Sequence, residues 1–456
     1  MTRRFDAIVI GAGQAGPSMA GRLAGAGKSV AIVERKLFGG TCVNVGCTPT
    51  KTLVASAYAA HLARRAADFG VSAGPVAIDF QAVMARMKKV VDEKRAGLES
   101  WLKGMANCTV VEGHARFTSP HAVEIAGETL EADRFFLDVG ARAAIPDFRG
   151  LDQVRILTNS SVLELDVLPR HLVIVGGSYI GLEFAQVFRR LGAAVTVVEK
   201  APRLIAREDP EVSDAVRDIL ETEGIAVRCG AECIRFAPHG RDVEVGVDCQ
   251  SGDPAVVGSH VLIAVGRRPN TDDLGLDAAG VTLDAHGFIE VDDELRTSVP
   301  HIFALGDCNG RGAFTHTSYN DYEIVAANLF DGAHRKVTDR IPTYALYVDP
   351  PLGRVGMTET EARAKGHAVR IGQRPMTRVA RAVEKGETQG FMKVVVDRGA
   401  DTILGAAILG VGGDEAIHGV IEAMAAGVSA KGYTRVMAIH PTVSELVPTV
   451  FGELSP

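Results

Sequence analysis

Residues 6–34, DAIVIGAGQAGPSMAGRLAGAGKSVAIVE, align without a gap with residues 171–199, HLVIVGGSYIGLEFAQVFRRLGAAVTVVE. Gly11 matches Gly176, Gly16 matches Gly181, Gly27 matches Gly192 and Glu34 matches Glu199. Each copy reads as a short apolar strand, a glycine turn, an amphipathic helix and a second apolar strand that ends in an acid. That order is the β-α-β dinucleotide fingerprint. The early glycines allow a tight turn and a close approach to a pyrophosphate, which then meets the positive end of a helix. The closing glutamate can accept from a ribose hydroxyl. The second copy has Ser178 where the middle glycine belongs, and a small residue still permits close approach. Two copies predict an α/β chain with two Rossmann-like domains and two dinucleotides, a flavin and a nicotinamide.

The chain is long enough for two to four domains, with 456 residues, 46% of them apolar and 23% charged. Its net charge of −7 gives no support to nucleic-acid binding. No apolar run reaches the roughly 18–20 residues of a membrane span. The start, MTRRFDAIVIGAG, resembles a signal peptide only superficially, since its short apolar run leads straight into the first fingerprint. A cytoplasmic protein is expected. Seven cysteines, an odd number in a long chain, do not form a secreted disulfide framework.

Two of those cysteines stand in GGTCVNVGCTPTK, residues 39–51. On a regular helix Cys42 and Cys47 would have Cα atoms roughly 8–9 Å apart, beyond the ~7 Å reach of a disulfide. Either they never bond or the chain is distorted between them, as redox chemistry would require. Cys229 and Cys233 have a spacing open to a metal, but no further ligand nearby completes a set, and no metal is expected. Strand-like runs recur at FFLDVGARAAIP (135–146), VLIAVGRRPN (261–270) and TSVPHIFALGDC (297–308). In the last of these Asp307 closes a strand, where an acid can bind a polyol.

In this order the motifs resemble those of the class I flavoprotein disulfide reductases, the pyridine nucleotide-disulfide oxidoreductases. Lipoamide dehydrogenase, glutathione reductase and mercuric reductase belong to this family. The resemblance spans the whole chain, through the first fingerprint, the cysteine motif, GGSYIGLE (176–183), GRRPN (266–270), ALGD (304–307) and HPTVSE (440–445). It implies an FAD domain from residues 1–150 and 268–338, an NAD(P) domain from 151–267 and an α+β dimerisation domain from 339–456. It implies that Cys47 contacts the flavin, that Cys42 attacks substrate, and that His440 and Glu445 form an acid–base pair reaching into the partner subunit's site. Lys51 would lie beside the flavin, paired with Glu183. Gly11, Gly13, Gly16, Glu34, Gly40, Thr41, Ala115, Gly140, Asp307 and Thr315 would serve FAD. Gly176, Ser178, Tyr179, Ile180, Gly181, Glu199, Gly266 and Arg267 would serve NAD(P).

Mercuric reductases share GGTCVNVGC but typically end in a vicinal cysteine pair, whereas this chain ends VFGELSP. They also carry an N-terminal metal-binding module and usually lack the histidine found here at position 440. A true mercuric reductase is therefore not expected. Glu199, facing the ribose, would repel the 2′-phosphate of NADPH and favours NADH; Lys200 and Arg203 leave NADPH open. FTHTSYNDYEIVAANL (314–329), with His316 and Tyr319, and PTYALYVDPPLGRVG (342–356) look closer to a branch that includes reactive-chlorine-induced copper reductases. The expected protein is a homodimeric NAD(P)H disulfide reductase. The alternatives are a Cu(II) or Hg(II) reductase using the same dithiol, and a flavin-based redox sensor.

Overall fold

The strand β1 (Thr2–Ile10) alternates its side chains between two apolar layers. Ala7 and Val9 pack with Met19, Ala20 and Leu23 of helix α1 (Gly16–Gly25). Ile8 and Ile10 pack on the opposite face with Phe117, Val123 and Phe135. Covering both faces explains why parallel strands here read as continuous apolar runs. In this computed structural model residues 2–232, 234–247 and 253–455 are described; Cys233 and Cys249 lie outside them.

From β1 the chain continues through α1, β2 (Val30–Glu34), α2 (Gly40–Val45), α3 (Cys47–Arg64), α4 (Phe80–Lys103) and β3 (Cys108–Glu112). It then forms β4 (Arg116–Ser119), β5 (Ala122–Ile125), β6 (Glu128–Leu137) and β7 (Ala141–Ala143). The sheet order is β3-β2-β1-β6-β5-β4, and a late strand, Ile302–Ala304, adds in parallel to the C-terminal part of β6. The segments Met1–Thr52, Met84–Ala144 and Gly266–Arg340 make one unit.

Leu53–Val83, Ile145–Val265 and Ile341–Pro456 make the other. Its nucleotide fold holds β8 (His171–Val175), α5 (Tyr179–Leu191), β9 (Ala194–Val198), α6 (Pro210–Thr222) and β10 (Ala226–Arg228). The parallel sheet runs β10-β9-β8 and then the strand His260–Ile263. An antiparallel sheet of five strands occupies residues 343–409. Residues 53–83 were expected with the first domain but belong here. Tyr58 Oη donates to Glu387 at 2.8 Å, Arg65 donates to the Gly386 carbonyl at 2.8 Å, and Phe80 packs near Phe188.

The expected NAD(P) and dimerisation segments fall in one unit, joined by buried charge. Glu208 pairs with Arg354, each 1% exposed, and Asp209 pairs with Lys393 at 3.0 Å. Glu208→Ala should strand the Arg354 guanidinium and destabilise the fold by about 3–5 kcal/mol. Denaturant unfolding measures this, and a loss below about 1 kcal/mol, ordinary for a surface change, would contradict it. Among the described residues no helix is long and apolar enough to cross a membrane.

Candidate active site

The two fingerprints match down to their hydrogen bonds. In the first, the Ala12 N–H donates to Glu34 Oε2 at 3.0 Å and the Lys36 N–H to Oε1 at 2.8 Å. In the second, the Gly177 N–H donates to Glu199 Oε2 at 2.5 Å and the Ala201 N–H to Oε1 at 2.7 Å. Each glutamate thus fixes its own glycine turn and keeps spare lone pairs for a ligand. Gly11 and Gly176 both have positive φ, +105° and +120°. A Cβ on Gly11 would run into the carbonyl of Asp138, and one on Gly176 into that of Ala264.

This equivalence accounts for Ser178. A Cβ on Gly13 would come 2.7 Å from the Asp138 carboxyl. The second copy has only the methyl of Ala264 at that strand end, so a serine is tolerated. Ser178 precedes α5, whose first residues are Tyr179, Ile180 and Gly181.

The dithiol does not sit on one helix. Gly39 starts α2 with φ +94°, and Gly46 breaks the chain at φ −134°, ψ −118° before α3 begins at Cys47. A Cβ on Gly46 would meet the Thr41 carbonyl at 2.8 Å and Cys42 Cα at 3.2 Å, so only glycine allows the chain to fold back here. The Cys42 thiol is hydrogen-bonded to Cys47 and Thr315, and Cys47 Sγ lies 3.3 Å from Thr315 Oγ1. Neither thiol is joined in a disulfide. The bond to Cys47 and burial push the Cys42 thiol above the ordinary thiol range. Lys51 follows on α3, one turn beyond Cys47.

Asp307 stands beyond the strand Ile302–Ala304. Gly266 and Arg267, expected with the second fingerprint, lie in the unit that holds Asp307. Arg267 Nε is 3.3 Å from Asp307 Oδ2, and its Nη2 donates to Thr41 Oγ1 at 3.3 Å and to the Ala141 carbonyl. The cause is strand pairing: Arg267–Pro269 runs antiparallel to β7. Burial pushes the Asp307 carboxyl up, and Arg267 opposes this. Gly140 has φ +64°, Gly40 has φ +56°, and Ala115 is buried in the core against β6. Thr315 opens the helix Thr315–Ala326, where His316 stacks on Phe314 and Tyr319 packs edge-on to Tyr322.

His440 and Glu445 belong to the other unit, as does Glu183. His440 Nδ1 is 2.9 Å from Glu445 Oε2, and the imidazole is largely exposed. Val436, Met437 and Ile439 beside it are exposed too, Met437 at 96%. Glu183 is buried and accepts from the Tyr347 N–H at 3.0 Å.

The sequence profile described as pyridine nucleotide-disulphide oxidoreductase matches residues 5–321, and that of the family's dimerisation domain matches residues 342–451. The chain is a pyridine nucleotide-disulphide oxidoreductase. Its relatives include the mercuric reductase of Streptomyces lividans, 34% identical over 97% of this chain and 94% of that protein. The probable pyridine nucleotide-disulfide oxidoreductase RclA of Escherichia coli is 33% identical over 98% and 99%. The dihydrolipoyl dehydrogenase of Thermus scotoductus is 33% identical over 97% and 96%. The solved Cu(II) complex of the HOCl-induced flavoprotein disulfide reductase RclA superposes with a TM-score of 0.90 at 32% identity, covering 99% of each chain.

This oxidoreductase is therefore a flavoprotein of a family that uses FAD and a pyridine nucleotide. The first fingerprint fits such a group, because its turn carries no side chain at Gly11 and Gly13 and the Glu34 carboxylate keeps spare acceptor positions beside it. Sequence reasoning overlooked two further carboxyls beside it, Asp138 and Asp321. Asp321 accepts from the Gly306 N–H at 2.7 Å and from Asn309 at 2.8 Å, and pairs with Arg340. The signal for Asp138 was available: it is an acid at the end of the apolar run FFL.

Proposed function

We propose that this oxidoreductase takes electrons from NADH and delivers them through Cys42 and Cys47 to a small disulfide. The break at Gly46 carries the reading, because it sets two thiols in hydrogen-bonding contact where a continuous helix would separate them. The chemistry supplied by bound FAD is two-electron transfer from NADH to the Cys42–Cys47 disulfide. Gly11, Gly13, Gly16, Glu34 and Asp307 would hold the flavin dinucleotide. Gly176, Gly181 and Glu199 would hold the nicotinamide one.

In the reduced protein Cys42 attacks one sulfur of the substrate disulfide, forming a mixed disulfide and expelling a thiolate. Cys47 then attacks Cys42, forming the internal disulfide and expelling the second thiolate. Cys42 holds its proton tightly, so the attack needs a base. His440, oriented by Glu445, would take that proton and return it to the leaving thiolate. We assign this histidine to the dithiol of a partner subunit in a homodimer. The dimerisation-domain match and the exposed Val436, Met437 and Ile439 beside His440 support this. A dithiol re-reduced at every turnover belongs in the reducing cytoplasm.

NADH is the proposed donor. Backbone hydrogen bonds aim the Glu199 carboxylate at the turn, and Arg203 is engaged with Asp214 at 3.1 Å. The wild type should favour NADH in kcat/KM by at least about tenfold, or about 1.4 kcal/mol, and Glu199→Ala should narrow that ratio. A tenfold preference for NADPH in the wild type would overturn the assignment. A second reading, Cu(II) or Hg(II) as acceptor, is favoured by the Cu(II) complex of the RclA relative and by the softness of paired thiols. NADH oxidation with lipoamide, oxidised glutathione, Cu(II), Hg(II) and a quinone, side by side, separates the readings. Turnover with metals alone would replace the first reading by the second. No turnover with any acceptor would leave a redox sensor.

A further inference from the structure

Tyr179, Glu183 and Gln186 share one stripe of α5, at spacings of four and three. All three meet one short segment, residues 344–349. The Tyr179 ring packs edge-on to Tyr344, with centroids 5.5 Å apart, and the two hydroxyls are hydrogen-bonded. Glu183 accepts from the Tyr347 N–H at 3.0 Å. Gln186 accepts from the Asp349 N–H at 2.7 Å and donates to the Asp349 carbonyl at 2.8 Å. The segment thus lies along the first two turns of α5 as a splint. It falls within PTYALYVDPPLGRVG (342–356), a run that the proposed chemistry leaves without a role.

The splint is anchored at the end nearest the second glycine turn. Tyr344 and Arg354 stand opposite each other on antiparallel strands. Tyr344 Oη donates to Glu208, and Arg354 pairs with the same carboxylate. The Glu208 N–H donates to the Ile205 carbonyl at 2.8 Å, and the Ile205 N–H to the Gly177 carbonyl at 2.8 Å. Ile205 is 4% exposed and has φ +40°. That conformation is unfavourable for a β-branched residue and persists only where its surroundings impose it. Glu208 therefore holds the glycine turn through Ile205 and the first residue of α5 through Tyr344.

We propose that Tyr344 is a positioning residue for the nicotinamide cofactor, acting through Tyr179 to fix the N-terminus of α5 before NADH arrives. This rests on the nicotinamide reading above. The N-terminal amides of such a helix receive a dinucleotide diphosphate together with the glycine turn, so the two must be held in register. A helix end fixed in advance has less freedom to lose on binding. The first fingerprint has Gln14 at the equivalent place, bonded to the Gly39 carbonyl instead.

The test titrates NAD⁺ by calorimetry into the oxidised holoprotein of the wild type, Tyr344→Phe, Tyr179→Phe and the double variant. Tyr344→Phe keeps the ring and the Glu208–Arg354 pair and loses only the hydroxyl. Its dissociation constant should rise by about threefold to tenfold, the effect of one lost hydrogen bond. KM for NADH should rise by the same factor, while kcat at saturating NADH changes by less than about twofold. Tyr179→Phe breaks the same contact from the helix side, so the double variant should bind no more weakly than the weaker single variant. A Tyr344→Phe protein that unfolds more easily but binds NAD⁺ as the wild type does would overturn the proposal. So would a double variant in which the two losses multiply. Should Tyr344→Phe fail to fold, Tyr179→Phe decides: weaker NAD⁺ binding supports the proposal, and unchanged binding overturns it. A wild type that binds neither NAD⁺ nor NADH would remove the nicotinamide reading itself, and the proposal with it.

Discussion

Cys42→Ser is expected to lower NADH-dependent turnover of every disulfide acceptor by on the order of a thousandfold or more, as loss of a nucleophile does. A serine hydroxyl near neutral pH is not a competent attacker of sulfur. Reduction of the bound flavin by NADH should survive, because Cys42 belongs to neither fingerprint. Stopped-flow bleaching of the flavin and steady-state turnover, measured on the same sample, separate the two half-reactions. Cys47→Ser should be equally inactive but spectrally different. The two-electron-reduced wild type should show a long-wavelength absorbance band from a thiolate beside the flavin, and Cys47→Ser should lack it. If that band survives in Cys47→Ser, the roles of the two cysteines are reversed. If turnover survives in Cys42→Ser, the dithiol is not the route to substrate.

Subunit mixing should restore activity from two dead proteins. Cys42→Ser lacks the nucleophile, and His440→Ala lacks the base. When subunits exchange, about half the dimers contain one of each. If His440 serves the partner's dithiol, such a dimer has one site with both lesions and one with neither. Recovered activity should approach about a quarter of wild type, as twofold symmetry requires. Turnover before and after exchange, with a tagged subunit to prove mixing, makes the measurement. No recovery despite proven mixing would place the dithiol and His440 in one chain. The exposed Val436, Met437 and Ile439 would then need another explanation.

Much of the site was legible because its constraints are local. Gly11 and Gly176 are required by the turn between one strand and the next helix, a matter of a few residues. The Cys42–Cys47 spacing conflicted with a regular helix, and the structure resolves the conflict through Gly46. His440 and Glu445, five residues apart, meet through a short loop. What stayed hidden depends on distant partners. Glu208 meets Arg354 146 residues away, and Lys393 meets Asp209 across 184. Nothing in REDP announces that both of its acids are buried. That Arg267 lies in the unit of Asp307 was not legible either, because its surroundings follow from pairing with β7 and not from its own motif. Asp138 was read as part of a strand and not as an acid that needs a reason to be buried.

The adjacent acids Glu208 and Asp209 have a consequence for protein engineering. Their cations come from two strands of the C-terminal sheet, Leu352–Gly356 and Phe391–Asp397. The Asp209 carboxylate also accepts from the backbone of Glu359 and Thr360. Grafting residues 341–456 from another oxidoreductase would replace all of these partners at once, leaving two carboxylates without counter-charges. A chimera intended to change subunit pairing must therefore carry the REDP loop with its C-terminal sheet, or supply an arginine and a lysine at positions 354 and 393. The nucleotide fold and the C-terminal sheet must be exchanged as one cassette, although the order of the chain reads as two.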